Sequence, residues 1–284
     1  MIGALGSTNF RIARDIYSVG RLGGAYPSRE SRMGKLGTLG GQAFRRTALT
    51  LQQVSWLNKV GYLEMYLAAW RYRSLTYNGF GRLLASASTR QLDSAESEAD
   101  RRIDSIRART EEANVECRVR SIAPPWGLFI MKLMRQFKPH QCLELGTAFG
   151  VSSLYEIAGL QLNGGGTLYT LDGSPSHMAI ARKNLDDFGA EGVKTILGMF
   201  EDTLERTLEE IGSVDFAFLD GDHEKGATIE HFEKVTDYAT TGAVILVDDI
   251  LWSKGMREAW RSISKSPKVA NSFDLIRMGL CFLN

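Results

Sequence analysis

Cysteine is scarce in this 284-residue chain, and Cys117, Cys142 and Cys281 form an odd, widely spaced set. No disulfide framework or cysteine-based metal pattern can be built from them, which points to a reducing, cytoplasmic setting. Long apolar runs are missing as well. The longest strictly apolar stretch near the N-terminus, Met65 to Trp70, is far too short to span a bilayer. Acids are nearly absent from the first fifty residues, where only Asp15 and Glu30 stand among many Arg, Gly and Ser. That composition is like an organelle transit segment. Arg11, Arg14 and Arg21, interleaved with Phe10, Ile12, Ile16 and Tyr17, would also suit contact with a membrane surface. The reading favoured over both is an N-terminal arm that packs on a partner subunit of a homo-oligomer, most simply a dimer.

Net charge is close to zero, at +1, but unevenly distributed. Residues 1–120 carry 19 Lys or Arg against 11 Asp or Glu, and residues 121–284 carry 15 against 22. A basic third can signal nucleic acid or an anionic surface. A solvated helical surface with some contact to the acidic part is the favoured alternative.

The hydrophobic pattern changes near residue 121, dividing the chain into a helical N-terminal extension (1–120) and an α/β domain (121–284). In the extension, Thr47 to Tyr77 is amphipathic, with Leu49, Val54, Leu57, Val60, Leu63, Leu67 and Trp70 close to one face. Its aromatic residues, Trp56, Tyr62, Tyr66, Trp70 and Tyr72, suit a core or subunit interface, or the apolar wall of a ligand pocket. Asp93 followed by Glu96 is a helix-start signature, predicting a charged helix from Asp93 to Val115. Pro124-Pro125 marks the junction, and Trp126 to Phe137 reads as a short amphipathic helix.

Beyond the junction, strand-like and helix-like segments alternate. The predicted strands are Gln141–Leu145, Thr167–Leu171, Val193–Leu197, Val214–Leu219 and Ala243–Val247. The predicted helices are Val151–Leu160, Pro175–Phe188, Asp202–Ile211, Gly226–Tyr238 and Lys254–Ile263. Phe273–Ile276 and Gly279–Leu283 suggest a closing hairpin. Such alternation means a doubly wound, mostly parallel sheet.

Two of these strands end in acid. Val214–Leu219 runs into Asp220-Gly-Asp222-His223, and Ala243–Val247 runs into Asp248-Asp249. In an open α/β sheet, ligands bind outside the carboxyl ends of the strands. Carboxylates crowded there repel unless some are protonated or a cation sits among them. The pattern therefore predicts a cation site. The first strand runs into Glu144-Leu-Gly146-Thr147-Ala-Phe-Gly150-Val-Ser152-Ser153, a turn whose glycines let backbone approach a ligand. Its Gly-x-x-x-Gly spacing differs from the dinucleotide fingerprint, which argues against a pyrophosphate cradle and a hydride-transferring dehydrogenase. Asp172, ending the second strand, is placed to accept from ribose hydroxyls.

This order of motifs resembles the class I S-adenosylmethionine-dependent methyltransferases: Glu144-x-Gly146-x-x-x-Gly150-x-Ser152, Asp172, Asp220-x-x-His223, then Asp248-Asp249. The resemblance covers residues 121–284 and is nearest to the catechol and caffeoyl-CoA O-methyltransferases and the bacterial sugar O-methyltransferases. It implies a seven-stranded Rossmann-like sheet whose last strand is antiparallel. It also implies that Glu144, Gly146, Thr147, Gly150 and Ser152 hold the methionine part of S-adenosylmethionine and Asp172 the ribose. Gly198, Phe200 and Glu201, in Gly198-Met-Phe-Glu201, would line the adenine, and Asp220 would border the cofactor. In metal-dependent members of the family, the positions of Asp220, Asp248 and Asp249 bind Mg²⁺; the extra acid at Asp249 would equally suit Mn²⁺ or Ca²⁺.

Methyl transfer from a sulfonium needs an aligned acceptor and a base. The family carries Lys three residues after the metal-binding Asp; here the position is His223, read as the catalytic base, with capping or orienting of Asp220 or Asp249 as its structural alternative. Asp222 is expected to hold His223 in one tautomer or to be a solvated loop acid. Without a metal, Asp248 or Asp249 could itself act as base. Trp252 and Lys254 are candidates for the acceptor pocket or for simple surface roles, and His140, His177 and His231 read as structural. The leading expectation is an O-methyltransferase acting on a hydroxylated small molecule. The alternatives are an RNA or protein methyltransferase using the basic third, and a non-catalytic S-adenosylmethionine-binding module.

Overall fold

A computed structural model describes residues 92–275 and 277–284. The expected transit-like or membrane-facing arm, the Thr47–Tyr77 helix and its aromatic residues lie outside the described residues. The described chain opens with α1 (Ser94–Ala113), α2 (Val115–Arg120) and α3 (Pro124–Phe137). There follow β1 (Gln141–Leu145), α4 (Val151–Leu162), β2 (Thr167–Asp172), α5 (Pro175–Phe188), β3 (Val193–Leu197), α6 (Phe200–Ile211) and β4 (Val214–Leu219). The remainder is α7 (Lys225–Asp237), β5 (Ala239–Val247), α8 (Lys254–Ile263), β6 (Val269–Asp274) and β7 (Gly279–Leu283). The sheet order is β3-β2-β1-β4-β5-β7-β6, and β7 runs antiparallel to both its neighbours. The doubly wound seven-stranded sheet is therefore observed, and β7 is its antiparallel strand.

The capping box at α1 is formed as the sequence indicates. The Asp93 carboxylate accepts from the Glu96 amide at 2.8 Å, and Glu96 accepts from the Asp93 amide at 3.0 Å. Pro124 and Pro125 occupy the first turn of α3, where a missing N–H costs nothing, so this helix starts two residues earlier than expected. α1 packs Ala99, Ile103 and Ile106 into the core shared by α3 and α4. Its arginines are spent locally: Arg101 pairs with Glu98, Arg107 with Glu111 and Arg109 with Asp187, and Arg102 lies over the Phe188 ring and donates to the Phe188 carbonyl. Residues 92–120 hold six Arg against eight Asp or Glu, so the basic excess of the extension lies outside the described residues.

Strand residues alternate between two cores. Cys142, Leu168, Phe216, Phe218, Val244 and Leu246 face α1, α3 and α4. Leu143, Leu145, Leu171, Leu219, Ile245 and Val247 face α6, α7 and α8. Because side chains alternate along a strand, Glu144, Asp172, Asp220 and Asp248 share the parity of the first group. The chain reverses direction of winding beside β1, which lies between β2 and β4. That is the switch point where a doubly wound sheet opens a crevice. Among the described residues, no helix is long and apolar enough to cross a membrane.

Candidate active site

Register brings the site together. Leu171, Leu145, Leu219 and Val247 are lateral partners across β2, β1, β4 and β5. The next residues along these strands are Asp172, Gly146, Asp220 and Asp248. The ladder continues past the strand ends: Gly146 N–H donates to Leu171 O, Asp220 N–H to Leu145 O and Asp248 N–H to Leu219 O, each at 2.9 Å. Gly198 N–H likewise donates to Asp172 O at 3.0 Å.

Around the first turn, Gly146 has φ 99° and Gly150 φ 77°. Ala148, at φ 44°, aims its amide at Asp172 Oδ2, 2.7 Å away, and the Ser174 amide donates to Asp172 Oδ1 at 2.7 Å. Asp172 is thus clamped between the β1–α4 and β2–α5 loops, with lone pairs left over for a ligand.

Glu144 is wholly buried. Its Oε2 accepts from Thr170 Oγ1 at 2.6 Å and from the Ser153 hydroxyl, while Thr147 Oγ1 and Thr170 Oγ1 lie 2.5 Å apart. Burial raises the Glu144 carboxyl, and the hydroxyls of Ser152, Ser153 and Thr170 hold it down. Glu144 and the side chain of Thr147 therefore anchor the turn from beneath, leaving its backbone to face the crevice. Ser153, part of the turn motif but given no role from sequence, and Thr170, not singled out there, belong to this anchor.

Behind them lies Glu156, also wholly buried, neither of whose carboxyl oxygens has a hydrogen-bond partner, as is true of Glu144 Oε1. Burial, followed by the charge of Glu144, pushes the Glu156 carboxyl well above the ordinary range. A proton shared between Glu144 Oε1 and one Glu156 oxygen accounts for two of these three open oxygens.

After β3, the residues Gly198-Met199-Phe200-Glu201 divide. Met199 is exposed, and its Sδ would lie 2.8 Å from a β-carbon on Gly173, placing it beside the Asp172 loop. Phe200 turns inward, under Gly221 and against the His231 ring at 5.3 Å. Glu201 is exposed in the first turn of α6. Of this group, Met199 is the exposed apolar side chain beside the Asp172 loop.

The acidic loops are strained. Asp222, His223 and Asp249 all have positive φ, at 60°, 43° and 49°, conformations that non-glycine residues hold only when their surroundings enforce them. His223 Nε2 lies 3.7 Å from Asp220 Oδ1, and its ring is 6.2 Å from that of Trp252, which is 72% exposed. Burial, then the charge of Asp248, pushes the Asp220 carboxyl well up, with Arg277 offsetting part of the rise. The same two causes raise Asp249.

Asp222 departs from expectation. Its Oδ2 faces His231 Nε2 at 3.7 Å, so it supports the buried histidine of α7 and not His223. Burial lowers the His231 pKa, opposed by Asp222. The α7 helix returns His231 under the loop, a relation invisible in local spacing.

The three carboxylates expected to bind metal are arranged differently from one another. Asp248 is fully buried, and both its oxygens are taken by Arg277: Nε to Oδ1 at 2.8 Å and Nη2 to Oδ2 at 2.6 Å. Arg277 Nε is 3.7 Å from Asp249 Oδ1. Among the described residues, no group of three or more His, Cys, Asp or Glu is arranged to hold a metal ion. Asp248 and Asp249 come together at the Arg277 guanidinium, with Asp220 near enough to feel the Asp248 charge, and the Asp248 oxygens so engaged do not fit a divalent cation. Arg277 escaped the sequence reading, although it is the only basic residue between Val269 and the last residue, Asn284.

Residues 143–250 match the model of a methyltransferase domain. A catechol O-methyltransferase of Niastella koreensis is 32% identical over 133 residues, which is 46% of this chain and 58% of that protein. The chain thus spans somewhat over half the length of this relative. Among solved structures, an O-methyltransferase from Bacillus cereus in complex with SAH is similar at TM-score 0.54 and 22% identity, covering 68% of this chain and 92% of that one. TomG of Streptomyces achromogenes, in complex with SAM, is similar at TM-score 0.53 and 20% identity, covering 68% and 91%. These structures bear on the fold, and the sequence matches bear on the family. Over residues 143–250 the chain is thus similar in sequence to methyltransferases, and the described α/β part shares the fold of these solved structures.

Proposed function

We propose that the chain transfers a methyl group from S-adenosylmethionine to a hydroxyl of a small molecule. The observation that carries this reading is the single row of Asp172, Gly146 and Asp220 at the switch point, with Asp172 clamped by two amides beside a glycine-lined turn. The O-methyltransferase relatives support the acceptor chemistry. Bound on this row, the cofactor supplies a methyl group already activated on a sulfonium, so the protein's task is alignment and proton removal.

In this reading, the backbone of residues 146–152 takes the methionine part, Asp172 the ribose hydroxyls, and Met199 with Gly198 the adenine. Glu144 acts through the turn it anchors. His223 Nε2 accepts the acceptor's hydroxyl proton as the oxygen becomes nucleophilic. The imidazolium then lies beside Asp220, favouring the charged form of that carboxyl against the burial that raises it. Being half-exposed, His223 can return its proton to water. Trp252 forms the outer wall. No step passes through a metal ion.

The extension before residue 121 is proposed to cover the acceptor side and to contribute to a dimer. The test is a methyl-transfer assay with labelled cofactor against hydroxylated small molecules, RNA and protein. Label recovered as a small-molecule methyl ether supports the reading, and label confined to RNA or protein refutes it.

A further inference from the structure

The acid cluster predicted from sequence demanded a cation, and the chain supplies one of its own. We propose that Arg277 is the resident cation of this site: it neutralises Asp248 and steadies Asp249, so the methyl transfer proposed above runs without a divalent metal. This inference rests on that reading for its functional consequence, but not for its physical basis.

The guanidinium engages Asp248 as a fork, at 2.8 and 2.6 Å, and reaches Asp249 at 3.7 Å. A bidentate pair of this kind is matched in both geometry and charge. It is also fixed from its other end, because the Arg277 carbonyl accepts from the amide of Ile250 at 2.9 Å. The β6–β7 turn is thereby tied, by backbone and side chain together, to the three consecutive residues Asp248, Asp249 and Ile250. A hard divalent ion needs carboxylate oxygens at roughly 2.0–2.6 Å. To obtain those of Asp248 it would have to break a buried pair and then sit beside the displaced positive charge. Asp249 adopts its left-handed backbone directly between the two tied residues, and His223 stands across from it next to Asp220. Arg277 is therefore a positioning residue, acting on the acceptor side through Asp248 and Asp249.

The experiment titrates the full chain with Mn²⁺ by calorimetry and by the paramagnetic signal of the free ion, alongside Arg277→Ala and Arg277→Lys. The expected result is no Mn²⁺ binding to the wild type that depends on Asp248. Arg277→Ala, having freed the carboxylates, should bind Mn²⁺ tighter by roughly ten-fold or more. Methyl transfer by the wild type should survive EDTA, and Arg277→Lys should recover part of the activity lost in Arg277→Ala. Asp248-dependent Mn²⁺ binding by the wild type, or activity abolished by EDTA and restored by Mg²⁺, overturns the proposal. Should Arg277→Ala fail to fold, the wild-type titration and Arg277→Lys still decide it. Failure of S-adenosylmethionine to bind would sink the proposed function instead, leaving the metal titration to judge Arg277.

Discussion

Gly146 stands directly against the Asp220 backbone: a β-carbon at position 146 would lie 2.3 Å from the Asp220 carbonyl oxygen. The end of β1 can therefore approach the end of β4 only because residue 146 has no side chain. Its φ of 99° independently favours glycine. Gly146→Ala is expected to destabilise the fold by about 2 kcal/mol or more through strain and overlap. A thermal melt should show the loss as roughly 4 °C or more, together with weakened cofactor binding.

Asp172 offers a sharper test of cofactor recognition. Its two oxygens accept from the amides of Ala148 and Ser174, both at 2.7 Å. In Asp172→Asn, one of those amides must face an NH₂ group, and the ribose loses a charged acceptor. Affinity for S-adenosylmethionine should fall about ten- to hundred-fold, corresponding to roughly 1.4–2.8 kcal/mol. Calorimetry checks this, and unchanged affinity would remove Asp172 from the ribose site.

His223 makes a prediction about rate. His223→Ala should lower kcat about 10²–10⁴-fold while leaving cofactor affinity near the wild-type value. If part of the activity remains, its rate should rise with pH as the acceptor hydroxyl ionises without help. A variant with wild-type kcat at neutral pH would show that another group takes the proton.

The Glu144–Glu156 pair links the site to stability. Glu156 is held protonated by burial and by Glu144, so its folded pKa lies above its unfolded one. The folded state then binds more protons than the unfolded state at pH values above the ordinary carboxyl range. The contribution of this group is fully present at low pH and is lost as pH rises through that range toward the folded value. Glu156→Gln keeps a donor for Glu144 and has nothing to ionise. Relative to wild type, it should gain stability as pH rises from 4 to 8, reaching about 1–3 kcal/mol. Melts across that range measure the difference, and a constant difference would contradict a shared proton.

The strands were legible because β1, β3 and β4 are short segments whose apolar residues, interrupted by Glu144, Lys194 and Asp215, lie between turn signals, and their ends agree with the structure. β5 begins at Ala239, earlier than its apolar run, because Ala239 through Gly242 pair or extend at the exposed end without a hydrophobic signal. The row of Asp172, Gly146, Asp220 and Asp248 followed from strand ends alone, since register in a parallel sheet aligns them. Contacts made by folding back were not legible. Arg277 reaches Asp248 across 29 residues, and Asp222 finds His231 only because α7 turns beneath it. Glu156 was hidden inside a segment whose apolar periodicity dominated. In each case, local spacing carries no information about which side chains the topology later brings together.

The central claim is tested most directly by following S-adenosylmethionine consumption and the fate of its labelled methyl group in the presence of hydroxylated small molecules and EDTA. The account predicts S-adenosylhomocysteine formed in step with an acid-stable small-molecule methyl ether, in wild type but not in Asp172→Asn at low cofactor concentration. Cofactor that is not bound, or label transferred elsewhere, would contradict it.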